Sequence, residues 1–461
     1  MCYCFSMKTY GSRRSFLANL GTIAVGATAM AAGPTTNLFQ DDGVRPLSAD
    51  VLVIGGGTAG TIAAIQAGRL GARTMLVESG SQLGGTTVTA GVDFPGLFHA
   101  WGRQIISGIG WELVTQTVTL NADSLPDFTV PTGRQHYKHQ VRICGALYAA
   151  LAEEACLKAG VQLRYYEFPL AASPTADGWK VRLAGKGANT EVTAKQLVDC
   201  TGNASMVGLL GLPRQREKTT QPGTLIYRLG GYDLRTLDMG SLQSRVNEAV
   251  KAGLLKPTDC TGSIANFLRC GGENAMHVPG ADSSTSETHT QANVSGRQSL
   301  LRMLRFLKSL AGFEHLRIER LQGETGIRET FRIVGETVVT LDDYVSGRIF
   351  PDAVAYAFYP IDLHEEHGVK PKQLGEGVVP TVPLGALIPR DSRNLMVAGR
   401  CLSSDRLSNS ALRVQASCMA MGQVAGVAAA MAARSAITPL RVPLDELRQT
   451  LKVQGAIVPA S

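Results

Sequence analysis

The sequence predicts an α/β fold with a central parallel sheet, and three observations carry this prediction. An apolar strand at residues 51–54 runs directly into a glycine-rich turn, and an Ala-rich helix follows it. Two later apolar strands, at residues 196–202 and 395–400, also end in glycine turns. Because the carboxyl ends of parallel strands meet at one edge of a sheet, we expect the three turns to converge on one crevice.

The first turn carries glycines at Gly55, Gly57 and Gly60, the G-x-G-x-x-G spacing. Gly55 permits a tight turn, Gly57 lets a pyrophosphate approach the backbone, and Gly60 lets the helix pack against the strand. The helix start offers free N–H groups and a positive dipole end to phosphates. Glu78 ends the next strand, eighteen residues after Gly60, where an acid can accept a hydrogen bond from a ribose hydroxyl. The pattern therefore predicts dinucleotide binding.

Length and composition are typical of a globular enzyme. The chain has 461 residues, of which 44% are hydrophobic and 18% charged, so it can form two or three domains with sizeable cores. The formal net charge of +7 is not gathered into a Lys/Arg block. The composition therefore favours a mildly basic protein that does not bind nucleic acid.

The N-terminal segment has the pattern of a twin-arginine signal peptide. Arg13 and Arg14 precede a weakly apolar run at residues 20–32, which ends near a small-x-small cleavage pattern. The run is too short for a stable membrane span. We predict a signal peptide at 1–32 and a linker at 33–48, and hence export to the periplasm or beyond. The alternative is a disordered tail with two chance arginines.

The cysteines argue against several kinds of metal centre. Nine are scattered along the chain, and no C-x-x-C pair occurs among them, so iron–sulfur and structural-zinc spacings are absent. No metal site is predicted. Cys260 and Cys270 lie in a polar region, and whether they form a disulfide in an exported protein stays open.

After the first β-α-β unit, at about 49–79, the predicted elements follow in order. A polar loop, Leu83-Gly84-Gly85-Thr86-Thr87, precedes an irregular aromatic excursion at about 94–138. A helix at 142–159 leads into strands at 160–168, 178–183, 190–193 and 196–202, which we interpret as a β-meander. Helices are predicted at 240–254 and 295–311, a polar loop at 278–294, strands at 337–340 and 379–383, and a long Ala/Met/Gly helix at 411–433.

The combination of these motifs resembles the FAD-dependent oxidoreductases with a glutathione-reductase-type FAD domain. Within them the chain most resembles a secreted bacterial branch that is distantly similar to the flavin portion of the heterodisulfide reductases. The matching segments are residues 53–60, 83–86, 198–204, 326–336, 359–364, 397–401, 413–415 and 422–423. The cluster cysteines of heterodisulfide reductase are absent, so iron–sulfur clusters are not implied.

The resemblance implies FAD as cofactor and a role for each matching residue. The glycines of the first turn would take the pyrophosphate, Glu78 the adenosine ribose, and the start of the last helix, by Arg413, the flavin pyrimidine. A helix N-terminus stabilises negative charge on a reduced flavin. The implied cofactor contacts are Gly55, Gly57, Thr58, Ala59, Gly60, Glu78, Gly84, Gly85, Thr86, Thr201, Gly202, Gly399, Arg400, Val414 and Gln415.

The resemblance also implies a domain division. The FAD-binding Rossmann-type domain would comprise 49–212 and 385–435, an α+β substrate domain would comprise 213–384, and 436–461 would be a C-terminal tail. A second G-x-G-x-x-G and a redox C-x-x-C are both missing, so built-in reduction by NAD(P)H is not expected. Electrons would come from an organic substrate and pass to oxygen, a quinone or a carrier.

Candidate catalytic residues lie in two segments. Tyr359, Asp362 and His364 share one strand-like segment, and alternation places Asp362 and His364 on the same side. Asp362 could then orient His364 as the base that takes a proton while a hydride leaves the substrate. Arg328 and Arg332 are four residues apart, as on one helical face or turn. They would be either ion-pair residues or a clamp for an anionic or hydroxyl-rich substrate or for the reduced flavin.

Two other histidines are weaker candidates. His99 lies in an aromatic segment, where packing is the favoured interpretation, and His289 lies in the predicted polar loop. Neither is placed among the catalytic candidates.

The leading prediction is an exported FAD-dependent dehydrogenase or oxidase of a small polar organic substrate. One alternative is a fumarate-reductase-like reductase of an activated double bond, and another is a non-catalytic flavin-binding electron carrier. The substrate, the electron acceptor, the oligomeric state and the attachment of FAD stay open.

Overall fold

A seven-stranded sheet lies at the centre of the structure, a computed structural model that describes residues 43–130, 135–365, 368–369 and 371–460. The strands, in chain order, are β1 (Arg45–Ile54), β2 (Thr74–Glu78), β3 (His99–Ala100), β4 (Arg103–Gln104), β5 (Gln162–Tyr165), β6 (Glu167–Pro174), β7 (Trp179–Gly185), β8 (Ala188–Asp199), β9 (Arg214–Gln215), β10 (Tyr227–Gly230), β11 (Arg317–Leu321), β12 (Arg332–Ile333), β13 (Ala353–Tyr356), β14 (His364–Glu365), β15 (Gly368–Val369), β16 (Thr381–Pro383) and β17 (Leu395–Val397).

Helices pack around this sheet, and several of them lie in the long stretch of chain between β8 and β17. In chain order they are α1 (Thr58–Arg69), α2 (Ile109–Leu120), α3 (Gly145–Lys158), α4 (Ser205–Leu209), α5 (Met239–Lys251), α6 (Ile264–Cys270), α7 (Ser286–Lys308), α8 (Leu341–Ser346), α9 (Arg406–Leu412), α10 (Gln415–Ser435) and α11 (Leu444–Val453).

The central sheet joins a parallel part to an antiparallel meander. Its parallel part has the order β5-β2-β1-β8 with β17 on the other side of β8, and β7 and β6 continue it in antiparallel pairing. The predicted Rossmann-type sheet with a meander is confirmed. The two strands predicted at 190–193 and 196–202 are one strand, because the first half of β8 pairs with β7 and its end pairs with β17.

Helices α1 and α10 pack on one face of the sheet at very short range. A Cβ atom at Gly422 would lie 2.3 Å from the carbonyl oxygen of Ala59, and one at Gly426 would lie 2.5 Å from that of Ala63. The two glycines are four residues apart on α10 and so share a helix face. They allow the backbones to touch, which holds the N-termini of both helices beside the sheet edge.

Helix α10 is also apolar enough, by length and composition, to cross a membrane. Among the described residues no other helix meets that test, and 94% of its most apolar window is buried inside the protein. It pairs with α1 and contacts the sheet strands β1 and β8. The apolar composition of α10 is therefore explained by its place in the core.

Two apolar clusters lie on the two faces of the sheet, and a third lies in the region between β10 and Ile327. The third contains Phe267, Met303 and Leu307, whereas later residues such as Val382 and Leu387 pack with the cluster around α10. The second half of the predicted substrate region therefore shares a core with the first and last parts of the chain. The domain boundaries themselves stay a prediction.

Several predicted elements differ from the structure. The predicted loop at 278–294 is helical from Ser286, because Thr285 caps α7 by accepting a hydrogen bond from Thr288 N. The predicted strand at 337–340 makes one isolated bridge, from Val339 to Ser404. The excursion at 94–138 contains a regular helix, α2.

The two ends of the described chain are also more ordered than predicted. Strand β1 begins at Arg45, inside the predicted linker, because its first residues pair with Thr190 and its neighbours on β8. The C-terminal segment forms α11, from which Arg448 donates hydrogen bonds to the carbonyl oxygens of Pro351 and Ala353. The predicted signal peptide at 1–32, and the linker as far as residue 42, lie outside the described residues.

Candidate active site

A deep cleft of about 760 Å³ lies at the carboxyl ends of the parallel strands, where the three glycine turns converge. Gly60 and Gly84 lie behind its wall, and Val414 faces a smaller neighbouring cavity. The predicted cofactor residues that line the cleft are Gly55, Gly57, Thr58, Ala59, Glu78, Gly85, Thr86, Thr201, Gly202, Gly399, Arg400 and Gln415.

The glycines of the first turn have different physical roles. Gly55 has a φ of +100°, and a Cβ atom there would lie 2.6 Å from the carbonyl oxygen of Cys200. A Cβ atom at Gly60 would lie 1.8 Å from the carbonyl oxygen of Gly55, so the helix approaches the turn too closely for any side chain. At Gly57 the nearest atom is 3.9 Å away, which leaves this backbone open to the cleft.

The start of α1 is prepared for an anion. Its N-cap residue, Gly57, has no side chain to cap the helix, and the first turn contains no acid. The terminal N–H groups and the positive end of the helix dipole are therefore not neutralised by an acid within the helix, and the Glu78 carboxylate beside the turn is bound to Gly56 N. A pyrophosphate fits this site chemically, since it accepts hydrogen bonds from backbone amides and carries negative charge.

Glu78 is held at the edge of the cleft by two backbone amides. Its Oε2 accepts a hydrogen bond from Gly56 N at 2.7 Å, and its Oε1 accepts one from Gly80 N at 2.6 Å. Oε1 also accepts a hydrogen bond from the Ser79 hydroxyl at 3.2 Å, whereas Oε2 keeps a further lone pair. The carboxylate is thus fixed in place and can still accept a hydroxyl hydrogen bond.

The second turn is organised by Asp199, which the sequence analysis missed. Its Oδ1 accepts hydrogen bonds from the amide and hydroxyl of Thr201, and its Oδ2 accepts one from Met206 N at 2.8 Å. Burial raises the pKa of Asp199, and these hydrogen bonds oppose the rise. Its role is to anchor the turn that places Thr201 and Gly202 in the cleft.

Arg400 joins the second and third turns to the middle of the chain. Its Nε donates to Gly202 O at 2.7 Å, its Nη1 to Ile327 O at 2.6 Å and its Nη2 to Asn203 Oδ1 at 2.8 Å. Burial lowers the pKa of its guanidinium. Arg400 therefore forms part of the cleft wall and also cross-links segments that are far apart in the sequence.

A smaller cavity of about 140 Å³ opens beside the cleft, and the side chains of Tyr359, Asp362 and His364 line it. Arg400, Arg413 and Gln415 border both spaces. Gln415 lies in the first turn of α10, whose N-cap is Val414. The predicted acid-base residues and the start of the last helix are thus brought to one place.

His364 makes hydrogen-bond contacts through both ring nitrogens. Its Nε2 lies 3.3 Å from Asp362 Oδ2, and its Nδ1 lies 3.3 Å from Nε2 of His277. Burial lowers the pKa of His364 to about 4, although Asp362 opposes that shift. The imidazole is therefore neutral near neutral pH and has no ring nitrogen left for a substrate in this arrangement.

Asp362 lies between His364 and Arg413. Its Oδ2 is 3.5 Å from Arg413 Nη2, and Arg413 also donates to the backbone oxygen of Asp362 at 3.2 Å. Burial by itself would raise the pKa of Asp362, but the hydrogen bond from His364 and the charge of Arg413 bring it below its usual value. Asp362 is thus a carboxylate near neutral pH.

Tyr359 is buried at the wall of the small cavity. Its hydroxyl accepts a hydrogen bond from Gln140 Nε2 at 3.0 Å, and its ring packs against that of His136. Burial raises the pKa of the Tyr359 hydroxyl, which keeps it protonated. The hydroxyl can therefore donate a hydrogen bond into the cavity.

The predicted pairing of Arg328 with Arg332 on a helical face is wrong, because residues 326–334 are not helical. Arg328 lines the small cavity. Arg332 is buried in β12, where it donates to Ser404 O and forms an ion pair with Glu217 at 2.8 Å. Arg328 is therefore placed for ligand binding, and Arg332 is an ion-pair residue.

A buried polar network supports the catalytic residues from behind. Gln221 Oε1 accepts hydrogen bonds from His364 N and from Arg413 Nη2, and Gln221 in turn donates to Glu329. Glu329 also pairs with Arg406 at 3.0 Å. No sequence pattern marked Gln221, His277 or Gln140, because each contacts the site from a distant segment.

The two weaker histidine candidates, His99 and His289, lie in different surroundings. His99 stacks on Phe128 with ring centroids 3.7 Å apart, as expected of a packed aromatic cluster. His289 lies on α7 and lines the large cleft. Cys260 and Cys270 are free thiols, and the described residues contain no cluster of side chains that would hold a metal ion.

Comparison with known proteins shows a match to one protein family and to one curated relative. The family model described as FAD dependent oxidoreductase matches residues 50–451. Nicotine dehydrogenase of Pseudomonas putida is 35% identical over 115 residues, which are 22% of this chain and 24% of that protein. The chain thus matches about a quarter of the length of this relative.

Solved structures of low sequence identity are also similar to the chain. A geranylgeranyl bacteriochlorophyll reductase-like protein from Thermoplasma acidophilum has a TM-score of 0.41 at 14% identity, covering 89% of this chain and 84% of that one. A p-nitrophenol 4-monooxygenase from Pseudomonas putida has a TM-score of 0.39 at 12% identity, covering 88% and 84%.

Proposed function

This chain belongs to the FAD dependent oxidoreductase family, whose model matches residues 50–451, and from that premise we propose that it is a dehydrogenase or oxidase of a small polar organic substrate. The observation that carries the proposal is the position of the small cavity, which places Asp362 and His364 directly beside the cofactor cleft. Membership of an oxidoreductase family favours catalysis over the alternative of a non-catalytic flavin-binding electron carrier.

The large cleft would hold FAD through residues already described. The open backbone at Gly57 and the start of α1 would take the pyrophosphate, and Glu78 would accept a ribose hydroxyl. The start of α10, at Gln415, would stabilise negative charge at its N-terminus. When bound, FAD supplies the acceptor for a hydride from the substrate carbon.

The residues of the small cavity would manage the accompanying proton. Oxidation of an H–C–X–H group to C=X releases one hydride and one proton, where X is oxygen or nitrogen. We assign the proton to the carboxylate of Asp362, because both ring nitrogens of His364 are already in contact with protein groups. His364 then acts as a positioning residue that holds Asp362, in place of the predicted base.

Anaerobic photometry tests this proposal. Purified holoprotein is mixed with a panel of alcohols, hydroxy acids, sugars and amines, and the loss of the visible flavin band is followed. Amines belong in the panel because one relative is named nicotine dehydrogenase, although the match to it is short. Bleaching by one class supports the proposal, and a flavin that no member of the panel reduces would contradict it.

A second candidate function is the reduction of an activated double bond. Arg328 and Arg413, which border the small cavity, favour it because arginines bind the carboxylates that activate such bonds. In that case dithionite-reduced protein is reoxidised by fumarate-like acceptors under anaerobic conditions. For the oxidase or dehydrogenase reaction, the same reduced protein is exposed to oxygen and to a quinone analogue. Reoxidation by one of them identifies it as an acceptor, and reoxidation by neither favours a carrier.

We also propose that the protein is exported through the twin-arginine route, on the basis of Arg13 and Arg14. A protein that crosses the membrane already folded can carry a cofactor acquired in the cytoplasm. The test is cell fractionation of the full chain and of a double variant, Arg13→Lys with Arg14→Lys. Retention of the double variant in the cytoplasm supports export, and equal distribution of the two proteins contradicts it.

A further inference from the structure

Arg328 is a cavity-lining guanidinium without an ionic partner. Its Nη1 donates to Pro222 O at 2.6 Å and to Thr224 Oγ1 at 3.0 Å, and its Nη2 donates to Asn274 Oδ1 at 3.1 Å. All three acceptors are uncharged. Within the part of the chain that the structure describes, no carboxylate forms a salt bridge with Arg328.

The whole lining of the small cavity has an excess of positive charge. Arg328, Arg400 and Arg413 face one carboxylate, that of Asp362. The Nε of Arg413 is also buried without a hydrogen-bond partner. Loss of water, with the nearby charge of Arg413, lowers the pKa of Arg328 to about 9, although the charge of Asp362 opposes that shift. Because desolvated charges are costly unless they are paired, this lining favours a ligand that brings an anion.

Arg328 lies outside the lining of the cofactor cleft. Arg400 and Arg413 border both the cleft and the small cavity, so a bound dinucleotide can approach them. Arg328 borders only the small cavity. A second ligand in the small cavity would therefore meet its charge.

The rest of the small cavity defines that ligand further. Phe94, Ile226, Ile327 and Val414 supply apolar walls, and the volume is about 140 Å³. Arg328 lines the same cavity, and its guanidinium is a planar group with several N–H donors. Such a group matches the two oxygens of a carboxylate.

We propose that the small cavity binds a small organic carboxylate and that Arg328 receives its carboxylate group. This inference rests on the proposed function in taking the small cavity as the substrate site, and it specifies the substrate class. The ligand's apolar part contacts the Phe94 side of the cavity. Its oxidisable or reducible group is directed towards Asp362, away from Arg328, because two carboxylates repel each other.

The test compares three probes of similar shape on the FAD-loaded protein: benzoate, benzamide and benzylamine. Binding is measured by isothermal calorimetry and by perturbation of the visible flavin spectrum, so turnover is not needed. Benzoate is expected to bind at least about tenfold more tightly than either other probe, since charge-assisted hydrogen bonds exceed neutral ones in strength.

Substitution of Arg328 assigns the effect to one residue. Arg328→Gln is expected to weaken benzoate binding by about ten- to a hundredfold while changing benzamide binding little, and Arg328→Lys is expected to be intermediate. Arg235→Gln is the matched control, because Arg235 is exposed and pairs only with Asp233. FAD content is measured for every variant and is expected to stay at the wild-type level.

Two results would overturn the inference. One is that benzoate binds no more tightly than benzamide. The other is that Arg328→Gln retains FAD and weakens the binding of benzoate and of benzamide by the same factor. If Arg328→Gln loses FAD, Arg328→Lys decides: a preference for benzoate over benzamide that is retained, though weaker than in the wild type, supports a receptor of positive charge, and no preference refutes it. Carboxylate binding without any flavin reduction by the substrate panel would refute the proposed dehydrogenase while leaving this inference intact.

Discussion

At the scale of single residues, the chemistry centres on the carboxylate of Asp362. It faces the small cavity, and it is flanked by His364 at 3.3 Å and Arg413 at 3.5 Å. These two neighbours hold it ionised and leave its other oxygen available. This arrangement supports the proposed roles, in which His364 positions Asp362 and Asp362 takes the substrate proton.

Replacing Asp362 by Asn is therefore expected to slow flavin reduction by the substrate by about 10²- to 10⁴-fold, because the proton loses its acceptor. The FAD content should not change, since Asp362 lies outside the lining of the large cleft. Stopped-flow measurement of the flavin band gives the rate. A variant that reduces its flavin at the wild-type rate would remove Asp362 from the mechanism.

The histidine makes a prediction about stability. The pKa of His364 is lowered from 6.5 to about 4 in the folded protein. Between these two values the unfolded chain binds a proton that the folded chain does not, so the free energy of unfolding falls as the pH decreases from 6.5 to 4. The stabilising contribution is fully present above pH 6.5. The lowered pKa of Asp362 acts in the same direction.

Urea unfolding of holoprotein at about pH 7 and about pH 5 measures this effect. His364→Gln is expected to lose less stability than the wild type over that interval, because it removes one titrating group. His99 is the internal comparison, since burial also lowers its pKa to about 4 and it lies away from the catalytic residues. Equal losses in wild type and His364→Gln would contradict the assignment.

At the scale of elements, the contact between α1 and α10 positions both helix N-termini at the cleft. Gly422 makes this possible, because its missing side chain lets α10 touch the backbone of α1 at Ala59. The contact lies directly behind the residues that would meet the pyrophosphate. Its geometry should therefore affect both stability and cofactor binding.

Gly422→Ala is expected to destabilise the protein by about 1–3 kcal/mol, because the added methyl group must push the helices apart. FAD affinity should fall as well, since the start of α1 moves with the helix. Gly240→Ala is the matched control: Gly240 also lies in a helix, and an added Cβ atom would meet only the side chain of Asp238, at 3.4 Å. That control should be neutral or stabilising, because Ala favours helices over Gly.

Thermal unfolding and FAD titration of the two variants check the prediction. If Gly422→Ala and Gly240→Ala had equal midpoints and equal FAD affinity, the close α1–α10 contact would not matter for the cleft.

At the scale of the whole molecule, the cleft is the meeting point of segments that are far apart in the chain. Gly55 and Gly85 come from the first quarter, Thr201 from the middle, and Gly399 and Gln415 from the last part. Arg400 crosses to Gly202 and Ile327. A ligand in this cleft therefore contacts early, middle and late segments of the chain together.

Removal of FAD is accordingly expected to lower the thermal midpoint, and added FAD should restore it in a concentration-dependent way. For a ligand that binds only the folded state, a hundredfold excess over the dissociation constant contributes about 2.7 kcal/mol. Differential scanning calorimetry of apo and reconstituted protein measures this difference. Identical midpoints at all FAD concentrations would contradict binding in the cleft.

The local elements could be predicted from the sequence because their causes are local. Apolar strands that end in glycine, the G-x-G-x-x-G turn and the acid at Glu78 each occupy a short stretch, and backbone conformation follows from such stretches. These patterns determined the parallel sheet, the meander, the long last helix and the residues that line the cofactor cleft. The misplaced boundary of α7 depended on one cap, Thr285, within a polar stretch.

Only the tertiary structure decided the small cavity and its roles. Arg413 reaches Gln221 across 192 positions of sequence, and His364 reaches His277 across 87. The tertiary structure also placed Arg328 and Arg332 apart: Arg328 lines the cavity, whereas Arg332 pairs with Glu217. The physical reason is that charge, burial and hydrogen-bond partners arise from side chains that folding brings together, whereas spacing along the chain records only the path of the backbone.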